Sequence, residues 1–519
     1  MIERRALLAA FLSMCFLLVY SQMLARSMPR RQAVQPVGAA PAVPELKALP
    51  TVEQEKAFLY HYENEQVETI QSDRLIVGIG RESGAIRSVA LPGFRDEYGK
   101  SPMQLRSALP LAHVRVGNEP LTVTSVEVHG NSAVVEAKDT QTNKYHLFYD
   151  IDYGKPLINI KLTTDSNAKP GVPVILTAAW SRADTMAGQH NRLELFALQN
   201  STGKHKHFLG PWKKQRDVPR GTKSLALSER YFCEVVQVDP AADVVTLVPA
   251  MGDMIVAEIQ APGTIAAVGG PLYATSIYVG PRDYFHLKNA GLAEAFPIGI
   301  IGQIGLALLL LLSWIASVTH NYGIAIIIFS LAVTGMAAPF TLLSFRSMKK
   351  MQELKPRIDK LMEQHKDDPR RMNQETFALY KEHRVSPLGG CLPMLLQMPI
   401  FIALFQGISH YIELRGASFL WIKDLSLPDR LAQLPVALPL LGNEFNLLPA
   451  VMALAMYLQT QASQKRMGSA GAANPSAQMM SGPMMPAIFF VMFYHFPAGL
   501  VLYWLTNSLS SMLWYRLAK

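Results

Sequence analysis

The chain has 519 residues, half of them hydrophobic and only 17% charged, and carries a formal net charge of +9. It is too apolar for a wholly water-soluble protein and long enough for more than one domain. The surplus Lys and Arg gather in short loops beside apolar runs, which points to membrane orientation and argues against DNA, with anionic lipid or ribosomal RNA as secondary partners.

Residues 1–25 open with Met-Ile-Glu-Arg-Arg and continue as an apolar run from Ala6 to Leu24. Ala25-Arg-Ser27 is a poor small-residue cleavage site, so this run reads as an uncleaved transmembrane anchor with its N-terminus inside. Residues 26–52 are rich in Pro and Ala and form a flexible linker. Residues 53–285 read as a β-sandwich. Leu157-Ile-Asn-Ile-Lys-Leu162 alternates with period two, as a half-buried strand does. Val126, Val128, Val134 and Val135 flank His129-Gly-Asn-Ser132, a hairpin signal. Further strands are expected at 74–77, 174–177, 231–238, 254–259 and 273–279. Of three cysteines only Cys233 lies here, so no disulfide forms within the domain.

Three patterns in this stretch mimic chemistry. Gly78-Ile-Gly80 with Gly84 resembles a dinucleotide loop, yet a strand pattern follows it where a helix is required. His205-Lys-His207 offers two imidazoles without a carboxylate or thiol to complete a metal site, so a solvated basic loop is the better reading. Asp150 and Asp152 read as loop-edge acids.

Residues 286–322 form an interfacial region. Ile298 to Thr319 is uncharged and long enough to cross a bilayer, but a crossing here would place the following basic segment outside, against the distribution of Lys and Arg in cytoplasmic loops. Arg282–Glu294 is therefore read as an amphipathic segment and 298–319 as lying in, or dipping into, the outer interface.

Residues 323–519 form a helical core with spans at 323–345, 388–412, 447–463, 484–496 and 498–515. Residues 346–384 carry eleven Lys and Arg and make a cytoplasmic helical hairpin. In it Met351, Leu354, Ile358 and Leu361 repeat at helical spacing, as on the face of one packed helix. Glu413–Asn446, mixed in charge and rich in proline, is an outside loop. Residues 447–461 and 484–496 are shorter than the ~20 residues of a full crossing, so the bilayer thins around them. With the anchor this makes six spans and places both termini in the cytoplasm and the large domain in the periplasm. The fold class is thus a polytopic α-helical membrane protein with a periplasmic β-sandwich.

The five later spans contain no acid and no Lys or Arg, where a pump or intramembrane protease keeps ionisable groups. They hold uncharged polarity: Ser330, Thr334, Gln397, Tyr503, Thr506 and Asn507. Ser and Thr commonly bond their own helix backbone. The primary amides of Gln397 and Asn507 need partners or water. No metal site, cofactor or catalytic residue is expected.

Pro387-Leu-Gly-Gly-Cys-Leu-Pro-Met-Leu-Leu-Gln-Met-Pro-Ile-Phe401, Ile412-Glu-Leu-Arg415, Trp421-Ile-Lys-Asp-Leu-Ser426 and Phe496-Pro-Ala-Gly-Leu-Val-Leu-Tyr503 resemble the bacterial YidC-type membrane protein insertases of the wider Oxa/Alb/YidC group. The resemblance covers about residues 320–515 closely, and the anchor with a large outer domain matches the Gram-negative form. It implies an inner-membrane protein with a hydrophilic groove open to cytoplasm and lipid, which receives the polar flank of a nascent span and releases the span sideways. It implies that Ser330, Thr334, Gln397, Tyr503, Thr506 and Asn507 line that groove. Gly389, Gly390, Pro393, Pro399, Pro497 and Gly499 shape its helices, and Lys349, Lys350, Arg370 and Arg371 meet partners. The implied partners are nascent membrane proteins, the Sec translocon, the ribosome and the signal recognition particle receptor, with no DNA. The outer domain is expected to resemble sugar-binding mutarotases without their catalysis. One position departs from the family: the arginine it commonly places just before Gly335 is here Thr334. The competing readings are a membrane-anchored periplasmic carbohydrate-binding protein and a small-solute transporter.

Overall fold

A computed structural model describes residues 65–517 except 96–100, 107–109, 118–120, 166–172, 182–192, 200–204, 210–215, 219–220, 239–243, 249–253, 262–270, 366–367, 384–391, 439–440 and 468–483. The expected anchor and linker (1–52), the first residues of the outer domain, Gly389, Gly390 and most of the stretch between the expected spans 447–463 and 484–496 lie outside the described residues.

Two antiparallel nine-stranded sheets face each other between residues 67 and 281. The first runs in the order Val67–Gln71, Ile76–Gly80, Ile86–Arg95, Ala112–Val116, Val174–Ser181, Met254–Ala261, Val244–Val248 and Arg216–Val218, with Pro102–Arg106 branching from Ile86–Arg95. The second runs His205–Leu209, Glu194–Gln199, Thr222–Ser228, Phe232–Gln237, Pro271–Pro281, Leu157–Thr164, Lys144–Ile151, Ser132–Lys138 and Thr122–His129. Alternation decides which side chains meet between the sheets. Ile158, Ile160 and Leu162 join the shared core while Asn159 and Lys161 face out. His129 pairs with Ser132 across Gly130-Asn131, and Gly130 takes the left-handed φ of 64° that such a two-residue turn requires. Gly78 and Gly80 lie in a strand that returns as Ile86–Arg95, which removes the dinucleotide reading.

Some polar groups are buried in the sandwich. On the side of the first sheet away from the core, Arg115 Nη2 donates to Glu258 Oε1 at 2.8 Å, and His113 lies buried beside them. Burial, with Arg115 and Arg87 nearby, pulls His113 down to about 3. In the second sheet Glu234 is fully buried, and neither carboxyl oxygen has a hydrogen-bond partner among the described residues. Burial alone raises it well above the carboxylate range.

Asp283 accepts from the Phe285 and His286 N–H groups and starts helix α1, Tyr284–Asn289. Leu287, Ala290, Leu292 and Ala295 then pack on Phe196, Cys233 and Tyr278 of the second sheet. The apolar side of this amphipathic segment thus packs on the second sheet.

Eight further helices follow among the described residues: α2 Ile300–Thr319, α3 Tyr322–Glu353, α4 Lys355–Gln364, α5 Pro369–Glu382, α6 Leu392–His410, α7 Leu447–Met467, α8 Met484–Phe493 and α9 Ala498–Leu517. By length and composition α2 and the first part of α3, Tyr322–Pro339, suffice to cross a membrane, while Leu447–Ala462 and Met484–Phe493 are shorter apolar helices. Helix α2 lies lengthwise against α6: a Cβ on Gly305 would stand 2.6 Å from the Ala403 carbonyl, and one on Gly407 would stand 3.1 Å from Leu309. Both contacts share one offset along the two chains, so the helices run parallel. Ile300, Leu310, Trp314 and Val318 of α2 are exposed.

Helix α3 continues past residue 345 to Glu353, into the segment expected to begin the cytoplasmic hairpin. Pro356 in the first turn of α4 has no N–H to continue the ladder, so the break falls at Leu354. The expected stripe Met351, Leu354, Ile358 and Leu361 is therefore shared between two helices. The sandwich is bonded to the helical core near the end of α6. Arg230 donates from Nε to Ser409 O at 2.9 Å and from Nη2 to Ser426 O at 3.1 Å, and Ile412 enters the sandwich core.

Candidate hydrophilic groove

Helix α9 brings the expected polar residues together. Tyr503 and Asn507 stand one turn apart on it, about 6 Å along the axis. Tyr503 is buried, with its ring 6.2 Å from Phe329, and its hydroxyl accepts from Gln397 Nε2 on α6. One turn further, Thr334 Oγ1 of α3 lies 3.0 Å from Asn507 Oδ1 and 2.7 Å from the Ser330 carbonyl. Ser330 donates to Ile326 O at 2.6 Å and Thr506 to Leu502 O at 2.9 Å, each one turn back in its own helix. Four of the six residues thus form two cross-helix ties centred on α9, and the other two serve their own backbones. Gln397 and Asn507 keep part of their surface exposed.

A threonine hydroxyl has one proton, so it cannot donate to both oxygens near it. With the Asn507 amide turned so that Nδ2 faces Thr334, the amide donates to Oγ1 and Oγ1 donates to Ser330 O. Both contacts are then satisfied. Oxygen and nitrogen of a side-chain amide are assigned from such networks.

The shaping residues divide. Pro399 sits inside α6, where a missing N–H loosens the helix. Pro393 is in the first turn of α6. Pro497 immediately precedes α9, and its carbonyl accepts from Leu500 N at 3.0 Å and Val501 N at 3.2 Å. Gly499 N donates to Leu425 O at 2.8 Å, and a Cβ on Gly499 would come within 3.2 Å of that same oxygen. Any larger residue would have to push α9 a few tenths of an ångström away from the Leu425 loop.

In the hairpin, Asp368 caps α5 by accepting from Arg370 N and Arg371 N. Arg371 Nε reaches Glu375 at 3.1 Å, and His365 of α4 meets Glu375 at 3.1 Å. Lys350, Arg370 and Arg371 are exposed. The Lys349 side chain lies outside the described residues.

The competing sites in the sandwich are occupied by ordinary contacts. His205 Nε2 lies 2.6 Å from Glu294 O, and His207 stacks on Phe196 at 4.2 Å. Among the described residues no three metal-ligating side chains cluster. Asp150 contacts Asn131, and Asp152 accepts from the Gly154 and Lys155 N–H groups of a turn. An open cleft of about 540 Å³ is lined by Asn159, Lys161, Gln237, Thr275, Ser276 and three aliphatic residues, without the aromatic platform a sugar site calls for.

The reading of the sequence missed a clamp where the chain enters α7 and leaves α8. Asn446 Nδ2 donates to Tyr494 O at 2.8 Å, and Tyr494 Oη donates to Glu444 O at 2.7 Å. Asp429 Oδ2 accepts from Leu448 N at 2.8 Å and from Trp421 Nε1 at 3.3 Å. The Asn immediately before α7 was a usable N-cap signal; Asp429, far away in sequence, was not.

A family model described as "60Kd inner membrane protein" matches residues 314–517. The membrane protein insertase YidC of Syntrophus aciditrophicus is 27% identical over 558 residues, covering 98% of both chains. The chain is similar to the YidC insertases over nearly its whole length, and residues 314–517 match the family model. A second member of the family, the membrane protein insertase YidC of Endomicrobium trichonymphae, is 39% identical over 244 residues; the match takes in 46% of this chain and 44% of that protein, under half the relative's length. A crystal structure of an active YidC insertase overlaps 89% of this chain and 96% of its own, at 17% identity and a TM-score of 0.39.

Proposed function

We propose that the chain is a membrane protein insertase: it takes the polar flank of a nascent span into a groove beside α9 and releases the span sideways into lipid. The observation that carries this is the pair of ties Gln397–Tyr503 and Thr334–Asn507, polar contacts among three apolar helices with Gln397 and Asn507 partly exposed. Such groups persist in a bilayer where they have work to do or water to meet.

No bond is made or broken. The cost of moving hydrophilic peptide outward falls when the barrier is thin. Helix α8 has ten residues, about 15 Å, against ~30 Å of hydrocarbon. The chain sits in the inner membrane with six spans, both termini inside and the sandwich in the periplasm. Helix α2 dips from the outer side next to α6 without adding a crossing. Nascent membrane proteins are the substrates. The Sec translocon, the ribosome, the signal recognition particle receptor and anionic lipid are partners, the last three reached through Lys349, Lys350, Arg370 and Arg371. A sugar receptor is disfavoured by the cleft without aromatics.

The test is depletion followed by insertion of a short two-span substrate, scored by protease protection. Loss of insertion that this chain restores supports the proposal; unchanged insertion overturns it. With thinning and hydration sufficient, Thr334→Arg leaves insertion of acidic substrates unimproved. Cysteines at 397 and 507 react with aqueous thiol reagent; sealed positions would remove the groove.

A further inference from the structure

The outer loop between α6 and α7 ends in a two-stranded hairpin, Ala432–Leu438 paired with Gly442–Phe445. From Leu431 to Asn443 the sequence has no charge. Pairing lapses between Gln433 and Leu438, so residues 434–437 bulge from the ladder. Exposed there are Leu431 at 45%, Val436 at 68% and Phe445 at 39%, and beside them Leu420 at 75% and Trp421 at 37%. An isolated two-stranded hairpin is marginal in water, and one that shows its apolar side chains gains nothing from staying wet.

We infer that this hairpin is immersed in the outer leaflet at headgroup depth, as a lipid-contacting wedge. The inference deepens the proposed insertase reading and rests on it for the side of the membrane. Three observations choose lipid over other occupants. The hairpin leads directly into α7, whose Leu454 and Leu458 are exposed, and is bound to the end of α8, whose Ile488 and Val491 are exposed, so one apolar surface continues from helices to hairpin. Trp421 offers a ring whose N–H is already held by Asp429, the arrangement suited to a membrane interface. Pro435 removes one backbone donor from an edge that hydrocarbon could not satisfy, while headgroups and their water can serve the rest.

The attachment gives the wedge a consequence. Glu444 and Asn446 are bonded to Tyr494, and Arg430 N–H to Asn446 Oδ1 at 2.9 Å, so the hairpin is fixed to the outer ends of α7 and α8. Lipid that covers the hairpin must follow those ends inward.

The full-length chain carrying Val436→Cys, labelled with an environment-sensitive fluorophore, is placed in phosphatidylethanolamine–phosphatidylglycerol vesicles. The equally treated parent provides the blank, and Leu420→Cys is a second variant against misfolding. Lipids brominated near the headgroup are expected to cut the fluorescence about two-fold, lipids brominated near the chain end to do little, and aqueous iodide to quench less than at a Tyr153→Cys control. Iodide quenching equal to the control overturns the inference. So does shielding that appears only when a membrane extract supplies a protein partner. Depth is read without any insertion assay, so the wedge can fail while the insertase reading stands, and the reverse.

Discussion

Thr334 Oγ1 and Asn507 Oδ1 stand 3.0 Å apart, joining α3 to α9 at a position where relatives of this chain are expected to carry an arginine. A neutral hydrogen bond thus occupies a place where a charge would need water. Thr334→Val and Asn507→Leu, singly and together, form a double-mutant cycle read by unfolding in detergent. The expected coupling is about 0.6 kcal/mol, the usual worth of such a bond in a membrane protein. A coupling of zero would mean that the pair touches without holding the helices.

Gly305 is where α2 approaches α6 to backbone contact. Gly305→Ala should cost about 1–3 kcal/mol, because a Cβ there meets a carbonyl oxygen that cannot turn aside. Gly335→Ala is the control: nothing lies within 4 Å of its Cβ position, and removing a helical glycine should be neutral or stabilise by up to about 1 kcal/mol. Melting the two variants side by side separates close packing from helix propensity.

Glu234 gives a pH signature to the sandwich. Its folded-state pKa lies well above the 4.5 of a free carboxyl. Below 4.5 the group is neutral whether the chain is folded or not. As pH rises the unfolded chain ionises first, and stability is lost until the folded carboxyl also ionises. Glu234→Met, of similar volume and without charge, should therefore raise the sandwich melting temperature at pH 8 and change it little at pH 4. Equal gains at both values would point to packing as the cause.

His113 acts in the opposite direction. Its pKa falls from 6.5 to about 3, so it contributes stability above 6.5 that is lost as pH drops toward 3, when the unfolded imidazole gains its proton and the buried one does not. Its charged neighbours Arg115 and Arg87 oppose a second positive charge, and Glu258 is already bonded to Arg115. His113→Asn should flatten the acid side of the stability profile, followed by tryptophan fluorescence.

Period-two alternation made strands such as Leu157–Thr164 legible in the sequence, because each buried residue is followed by a solvated one. The polar residues of the later helices were legible for a simpler reason: in an apolar run an amide stands out. Their pairing was not legible. Nothing in the sequence joins Gln397 to Tyr503, which lie far apart along the chain. Helix α2 was harder, since charge counting speaks to topology and is silent on an uncharged helix that stands against a neighbour. The amphipathic pattern of 282–294 was read correctly as one-sided, yet its partner is a sheet. The prolines and charges of 413–446 drew attention away from the uncharged stretch at 431–443, where the exposed apolar surface lies.

Arg230 donates to the carbonyls of Ser409 and Ser426 from the turn between two strands of the sandwich. The last turn of α6 therefore finds a hydrogen-bond donor in the sandwich, and α6 is the same helix that carries Gln397.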